Sequence, residues 1–254
     1  MLPVERQNRI LKLARREGTV RTIDLARDFE VAEETIRRDL DFLSKRGHLK
    51  RTHGGAMDAA APLAELPYLE RETQQLEEKI AIAKEAASLL SPGETILLDT
   101  SSTALQLASH IPLGMPLRVV THSVAVIERL THQEDVELIQ LGGVYDARGR
   151  RYSGRITEMG VRSLKIDRYF YSGGGLDPAR GISEPNPEQA RLKRAMLEHA
   201  TWNCLLIDHT KLGLQTDHFF ARPEEVISVI TDVGGTAYVN EHLAKVPFEV
   251  RITR

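Results

Sequence analysis

Between Val4 and Arg16 the apolar positions are Ile10, Leu11, Leu13 and Ala14, set among charged residues. That spacing predicts an amphipathic helix, with Pro3 suited to its first turn and Gly18 to the position past its end. A second helix is predicted from the N-cap Thr22, with Ile23, Leu25, Ala26 and Phe29 on its apolar side. After a short turn at Glu30-Val31-Ala32, a third runs from about Glu33 to Arg46. Its apolar face is Ile36, Leu40 and Leu43, at i, i+4 and i+7. Glu33 and Glu34 sit where the helix dipole favours negative charge, and Gly47 stops the helix. His48 to Ala56 then reads as a short basic strand and a glycine turn. Three helices with a tight turn between the last two, followed by a wing, form a winged helix-turn-helix over residues 1–57.

Residues 58–67 are rich in Ala and Pro, which places a linker over 58–68. A long amphipathic helix is expected from about Leu69 to Leu90. From there apolar, β-prone runs alternate with helical patterns. The predicted strands are Thr95–Asp99, Leu117–Thr121, Val136–Leu141, Arg168–Ser172, Asn203–Asp208 and Val226–Thr231. The predicted helices are Thr103–His110, Ser123–Leu130, Glu158–Leu164 and Pro187–Ala200. Alternation of this kind predicts an α/β domain with a mainly parallel sheet over 69–254.

Charge sharpens the division. The 254-residue chain has a net charge of only −2, yet residues 1–60 carry 13 Lys and Arg against 10 Asp and Glu. A basic first module ahead of an acidic body hints at DNA contact. The third helix would present its early, outward residues to the major groove. The candidate DNA-binding residues are Thr22, Glu34, Thr35, Arg37, Arg38, Lys50, Arg51 and His53. Arginine can pair bidentately with guanine or reach a phosphate. Cys204 is the single cysteine and lies in an apolar run, so it reads as a buried strand residue. The first residues do not read as a signal peptide, and no apolar stretch approaches the ~20 residues that span a bilayer, so a cytoplasmic protein without membrane contact is expected.

In parallel sheets ligands bind beyond the carboxyl ends of the strands. Those ends here carry small, hydroxyl and charged residues. The first strand ends Asp99-Thr100-Ser101-Ser102-Thr103 and leads into a helix, where hydroxyls and N–H groups make an anion site. The third ends Gly142-Gly143, the fourth Ser172-Gly173-Gly174-Gly175, and the fifth Asp208-His209-Thr210-Lys211. Ser101, Ser102 and Thr103 with Lys211 are expected to hold a phosphate. Asp99 and Asp208 are expected to face sugar hydroxyls, and Lys193 to reach in from the following helix. Gly142, Gly143 and Gly173 are expected to let backbone approach the ligand.

The segments Ala32-Glu33-Glu34-Thr35-Ile36-Arg37-Arg38-Asp39-Leu40 and Arg51-Thr52-His53-Gly54-Gly55-Ala56 resemble the DeoR family of bacterial sugar-metabolism regulators. The resemblance extends from about Tyr68 to Asp232. It implies a sensor domain with the fold of ribose-5-phosphate isomerase and the acyl-CoA transferases, and a repressor of a carbohydrate operon. Its partners would be double-stranded operator DNA and a phosphorylated sugar effector. A homodimer or homotetramer is expected, because dimers read two half-sites. No cofactor is implied. Three places depart from the family's usual residues: Ala32, where serine would cap the third helix; the segment Ser101-Ser102-Thr103; and His122, where asparagine is common.

The rival function is a sugar-phosphate isomerase, which needs a general base. Its acidic motif has no match here, because the nearest segment is Asp167-Arg168-Tyr169-Phe170-Tyr171. Nine histidines raise the possibility of metal sensing, with His209 and His218 near carboxylates. Their spacing fits no zinc pattern, and no metal site is expected. The run Arg148-Gly149-Arg150-Arg151 reads as a solvated loop.

Overall fold

The computed structural model describes residues 2–17, 19–52, 54–58 and 66–253. The chain forms two compact units, Met1–Ala64 and Glu65–Arg254.

The first unit contains α1 (Pro3–Glu17), β1 (Thr19–Arg21), α2 (Thr22–Asp28), α3 (Glu33–Lys45), β2 (Leu49–Thr52) and β3 (Gly55–Asp58). Its core joins Ile10 and Ala14 of α1 to Leu25 and Ala26 of α2 and Ile36, Leu40 and Leu43 of α3. These are the apolar stripes that the sequence pattern picks out. The wing is an antiparallel pair, β2 with β3, and β1 adds a third strand on the far side of β3. That strand was not expected; three residues are too short for a period of two to register. Gly55 makes it possible, since a Cβ there would lie 2.0 Å from the Val20 carbonyl oxygen.

The second unit begins with α4 (Tyr68–Thr73) and α5 (Leu76–Ala87), where one long helix was expected. The break falls at Gln74 and Gln75, with Gln75 in the left-handed region at φ 48°. Lys79, buried on α5, closes it by donating from Nζ to the Arg71 carbonyl at 2.5 Å and to the Gln74 carbonyl. Then come β4 (Thr95–Leu98), α6 (Ser102–Ser109), β5 (Leu117–Thr121), α7 (Val124–Leu130), β6 (Val136–Gln140), β7 (Val144–Asp146), β8 (Arg151–Ser153) and α8 (Arg155–Arg162). The chain continues through β9 (Ile166–Tyr171), β10 (Gly175–Asp177), β11 (Gly181–Glu184), α9 (Pro187–His199), β12 (Ala200–Leu206), β13 (His218–Ala221), β14 (Ser228–Thr231), α10 (Thr236–His242) and β15 (Glu249–Ile252).

Seven strands form one parallel sheet in the order β15-β14-β12-β9-β4-β5-β6. Alternate side chains feed two cores. Ile96, Leu98, Phe170, Cys204 and Leu206 pack under α5, α6 and α7. Leu97, Tyr169, Tyr171, Leu205 and Val229 pack against α9 on the other face. Burial pushes the Cys204 thiol up to about 12, so it is inert packing. Short strands that the sequence pattern did not reveal add a β7–β8 hairpin and a β10-β11-β13 sheet. The chain runs outward from β4 to β6, then returns to place β9 on the other side of β4. That reversal puts the topological switch at the ends of β4 and β9.

Candidate DNA interface and effector site

On α3, Arg37 and Arg38 are exposed, and among the described residues they pair with glutamates one turn earlier, Arg37 with Glu33 at 3.1 Å and Glu34 at 3.9 Å, and Arg38 with Glu34 at 3.4 Å. Such pairs are worth ~0.3–0.5 kcal/mol, so either arginine can exchange its partner for a base or phosphate. Thr35 lies half-buried beside them in the first turn of α3. Thr22 departs from expectation. Arg21 holds the N-cap position of α2, no side chain caps that helix, and Thr22 is buried as its first residue. Its N–H donates to the Gly54 carbonyl at 2.8 Å, fixing the wing turn. Arg51 is also more than a surface cation: it reaches Asp41 of α3 at 2.8 Å and the Gly55 carbonyl at 2.6 Å. A groove of 340 Å³ lies among Arg21, Thr22, Glu33, Arg37 and Arg51. His53 and the side chain of Lys50 fall outside the described residues.

The pattern did not reveal what aims α3. Asp39, on its inward side, accepts from Arg6 of α1 at 2.5 Å and from Gln7 at 2.8 Å. Both Arg6 and Asp39 are buried. A carboxylate two places past Arg37 in an apolar stripe was the available signal.

At the strand ends of the larger unit, Asp99 and Lys193 form a buried pair with Nζ to Oδ2 at 3.1 Å. Both atoms are committed elsewhere as well. Asp99 accepts from the Ser101 N–H and hydroxyl and from the Ser172 N–H. Lys193 donates to the Ser172 carbonyl at 2.7 Å and to Glu184. Burial alone would raise Asp99, but Lys193 and these hydrogen bonds hold it below the usual carboxylate range. Burial would likewise lower Lys193, but Glu184 and Asp99 hold it above the usual amine value. The pair therefore ties β4, β9, β11 and α9 together, with the Asp99 carboxylate and the three Lys193 donors all engaged within the fold. Ser101 is the N-cap of α6, accepting from the Ala104 N–H, so its hydroxyl is spent too. Ser102 and Thr103 sit buried in the first turn of α6.

Asp208 is also committed, to Lys211 at 3.0 Å and to the Thr210 N–H and hydroxyl. Burial would raise it, but Lys211 and Thr210 bring it below the ordinary value. Lys211 keeps a third of its side chain in solvent. Lys79, which the sequence reading did not place at the site, lies within electrostatic reach of both. Burial and the Lys211 charge lower it to about 8, against the pull of Asp208. Gly143 and Gly173 serve packing: a Cβ at Gly143 would lie 2.3 Å from the Ser153 carbonyl oxygen and Thr157 Oγ1, and one at Gly173 would lie 2.6 Å from Ile182. Gly142 is exposed with open space around it. His209 pairs with Asp232 at 2.7 Å, and no cluster of three metal-ligating groups occurs among the described residues. Among the same residues no helix is long and apolar enough to cross a membrane.

Comparison with known proteins agrees with both halves. Residues 6–59 match the DeoR-like helix-turn-helix domain, and residues 74–233 match the DeoR C terminal sensor domain. An uncharacterised helix-turn-helix transcriptional regulator of Bacillus subtilis, YulB, is 35% identical over 92% of this chain and 90% of its own. The transcriptional repressor AccR of Agrobacterium fabrum is 31% identical over 91% and 90%. The lactose phosphotransferase system repressor of Staphylococcus epidermidis is 30% identical over 90% and 91%. Among solved structures, ribose 5-phosphate isomerase A of Methanocaldococcus jannaschii superposes with a TM-score of 0.41, at 16% identity over 55% of each chain. Two family domains in order, with regulators matched along nearly the whole length, identify the chain as a member of the DeoR family of DNA-binding transcriptional regulators.

Proposed function

We propose that the chain represses a carbohydrate-utilisation operon and that a phosphorylated sugar bound at the strand ends of the larger unit changes its operator affinity. The observation that carries the ligand class is the charge around Asp208. Lys211 pairs with that carboxylate at 3.0 Å, and the buried Lys79 ammonium, held by the Arg71 and Gln74 carbonyls, lies within electrostatic reach, so an anion would balance the second positive charge. The first turn of α6, with Ser102 and Thr103, adds N–H and hydroxyl donors at the same end of the sheet. The chain binds its sugar phosphate without turnover. Asp167, the nearest counterpart of the isomerase carboxylates, lies beside β9's first residue and accepts from the Thr95 N–H, at the opposite end of the sheet from Asp99. Operator reading through two half-sites calls for a homodimer or homotetramer. Exposed Val144 on β7 and Ile156 and Met159 on α8 offer apolar surface for assembly.

The test is operator affinity of the full chain with and without a panel of pentose and hexose phosphates. Lys211→Ala and Ser102→Ala are expected to keep operator binding and lose the sugar-phosphate response, with ~2–5 kcal/mol of ligand binding gone in the lysine variant. Lys79 adds a pH signature. It is charged below about 8 and neutral above, so ligand affinity falls as pH rises from 7 to 9. A normal response in both variants would place the phosphate elsewhere.

A further inference from the structure

His122, directly after β5, is fully buried, and neither ring nitrogen has a hydrogen-bond partner. Its backbone is pinned. The His122 carbonyl accepts from the Tyr152 N–H at 2.9 Å, and Ser123 caps α7. Burial first, then the charges of Arg151 and Lys193, push the imidazole down to about 3, against the pull of Asp99 and, more weakly, of the Gln189 side chain that faces the ring. At neutral pH the ring is therefore uncharged, with one donor and one acceptor. Gln189 faces it from α9, one turn before Lys193, and its Oε1 is unpartnered as well. Ser172, held through its backbone by Asp99 and Lys193, has an unpartnered hydroxyl. Buried polar groups without a partner are costly, and three of them lie around one ion pair here.

We propose that His122, Gln189 and Ser172 form the subsite that reads the hydroxyl-bearing end of the effector and sets which sugar is accepted. The proposal rests on the phosphorylated-sugar reading above and deepens it. The chemistry selects the end of the ligand. A phosphate offers acceptors only, and here it would meet Gln189 Oε1, the imidazole lone pair and the Asp99 and Glu184 carboxylates. A hydroxyl donates and accepts at once, which is what an amide oxygen, a neutral imidazole and a serine hydroxyl can match together. The phosphate then lies toward Lys79 and Lys211, and the sugar chain extends to the Asp99–Lys193 pair. The β7–β8 hairpin is clipped to the His122 turn by two backbone hydrogen bonds, from Tyr152 N–H to the His122 carbonyl and from Val124 N–H to the Arg150 carbonyl.

The experiment titrates the full chain calorimetrically with inorganic phosphate and with a panel of aldose and ketose phosphates and their deoxy analogues. His122→Ala and Gln189→Ala are expected to weaken the best sugar phosphate by about tenfold or more while leaving inorganic phosphate within about twofold. His122→Asn, which keeps a donor and an acceptor on a shorter side chain, is expected to restore binding but change the order of preference. Removing one ligand hydroxyl should weaken binding to the parent protein and cost little further in His122→Ala. If His122→Ala does not fold, Gln189→Ala carries the same comparison. Unchanged sugar-phosphate affinity and preference in the variants overturn the subsite, the three groups then being satisfied by buried water, and leave the reading of function standing. If neither phosphate nor any sugar phosphate binds the parent protein, that reading fails and takes the subsite with it.

Discussion

On α3 of the smaller unit, Arg37 and Arg38 stay in solvent and lean on glutamates one turn away. At the rim of the large sheet, Lys193 is buried and divides its three donors among Asp99, Glu184 and the Ser172 carbonyl. The contrast separates two uses of charge. An exposed arginine in an i, i+4 pair has little to lose by moving to a phosphate or base edge. A buried lysine with no spare donor cannot move without stranding two carboxylates. The first kind is available for binding and the second holds the architecture, although both lie in segments matched by the family's domains.

The largest expected effect tests the architectural half. Lys193→Met leaves Asp99 and Glu184 buried without their cation, and stability should fall by ~3–5 kcal/mol in denaturant titration. A loss below ~1 kcal/mol would mean that Lys193 is not the tie described, and the contrast with α3 would collapse. A smaller effect tests the binding half. Arg37→Ala and Arg38→Ala should each cost ~1–3 kcal/mol of operator affinity, with stability changed by only a few tenths of a kcal/mol. A base contact would relax preference at one position, whereas a phosphate contact would lower affinity evenly and flatten the salt dependence. Variants that bind every operator sequence as the parent does would remove α3 as the reading helix.

The same contrast explains what the sequence made legible. The helices of the smaller unit were readable because each buries one stripe, so Ile36, Leu40 and Leu43 print the period directly. The alternating order of the larger unit was readable because its strands are continuous apolar runs. Lys193, expected to reach a ligand, is engaged within the fold, because strand-end position and a charged side chain do not reveal which way a helix faces. Its place in one stripe with Gln189 and Met196, both buried, held that information. The break at Gln74 and Gln75 carries no Gly or Pro; what fixes it is Lys79, acting from the next helix. The helix expected from Thr103 begins at Ser102, and the Ser101 hydroxyl, expected to hold phosphate, caps that helix and bonds Asp99, a competition that the residue pattern does not decide.

Helix starts give the smallest expected effect and extend the comparison beyond charge. In the larger unit α6, α7 and α9 begin with Ser101, Ser123 and Asn186, each accepting from N–H groups of its first turn. In the smaller unit neither α2 nor α3 has a side-chain cap. Ala32 holds the N-cap of α3 with the extended backbone that position requires, φ −63° and ψ 145°, so only the side-chain oxygen is missing. Ala32→Ser supplies it at an exposed site where nothing else need move. The smaller unit should gain ~1 kcal/mol. Hydrogen exchange should slow most in the first turn of α3, where Arg37 and Arg38 are anchored. Operator affinity should hold or rise slightly, because the reading residues gain a better-ordered base and lose no contact. A serine that leaves exchange in that turn unchanged would show that Glu33 and Glu34 already satisfy the helix start, and that the uncapped helices are as firmly begun as the capped ones.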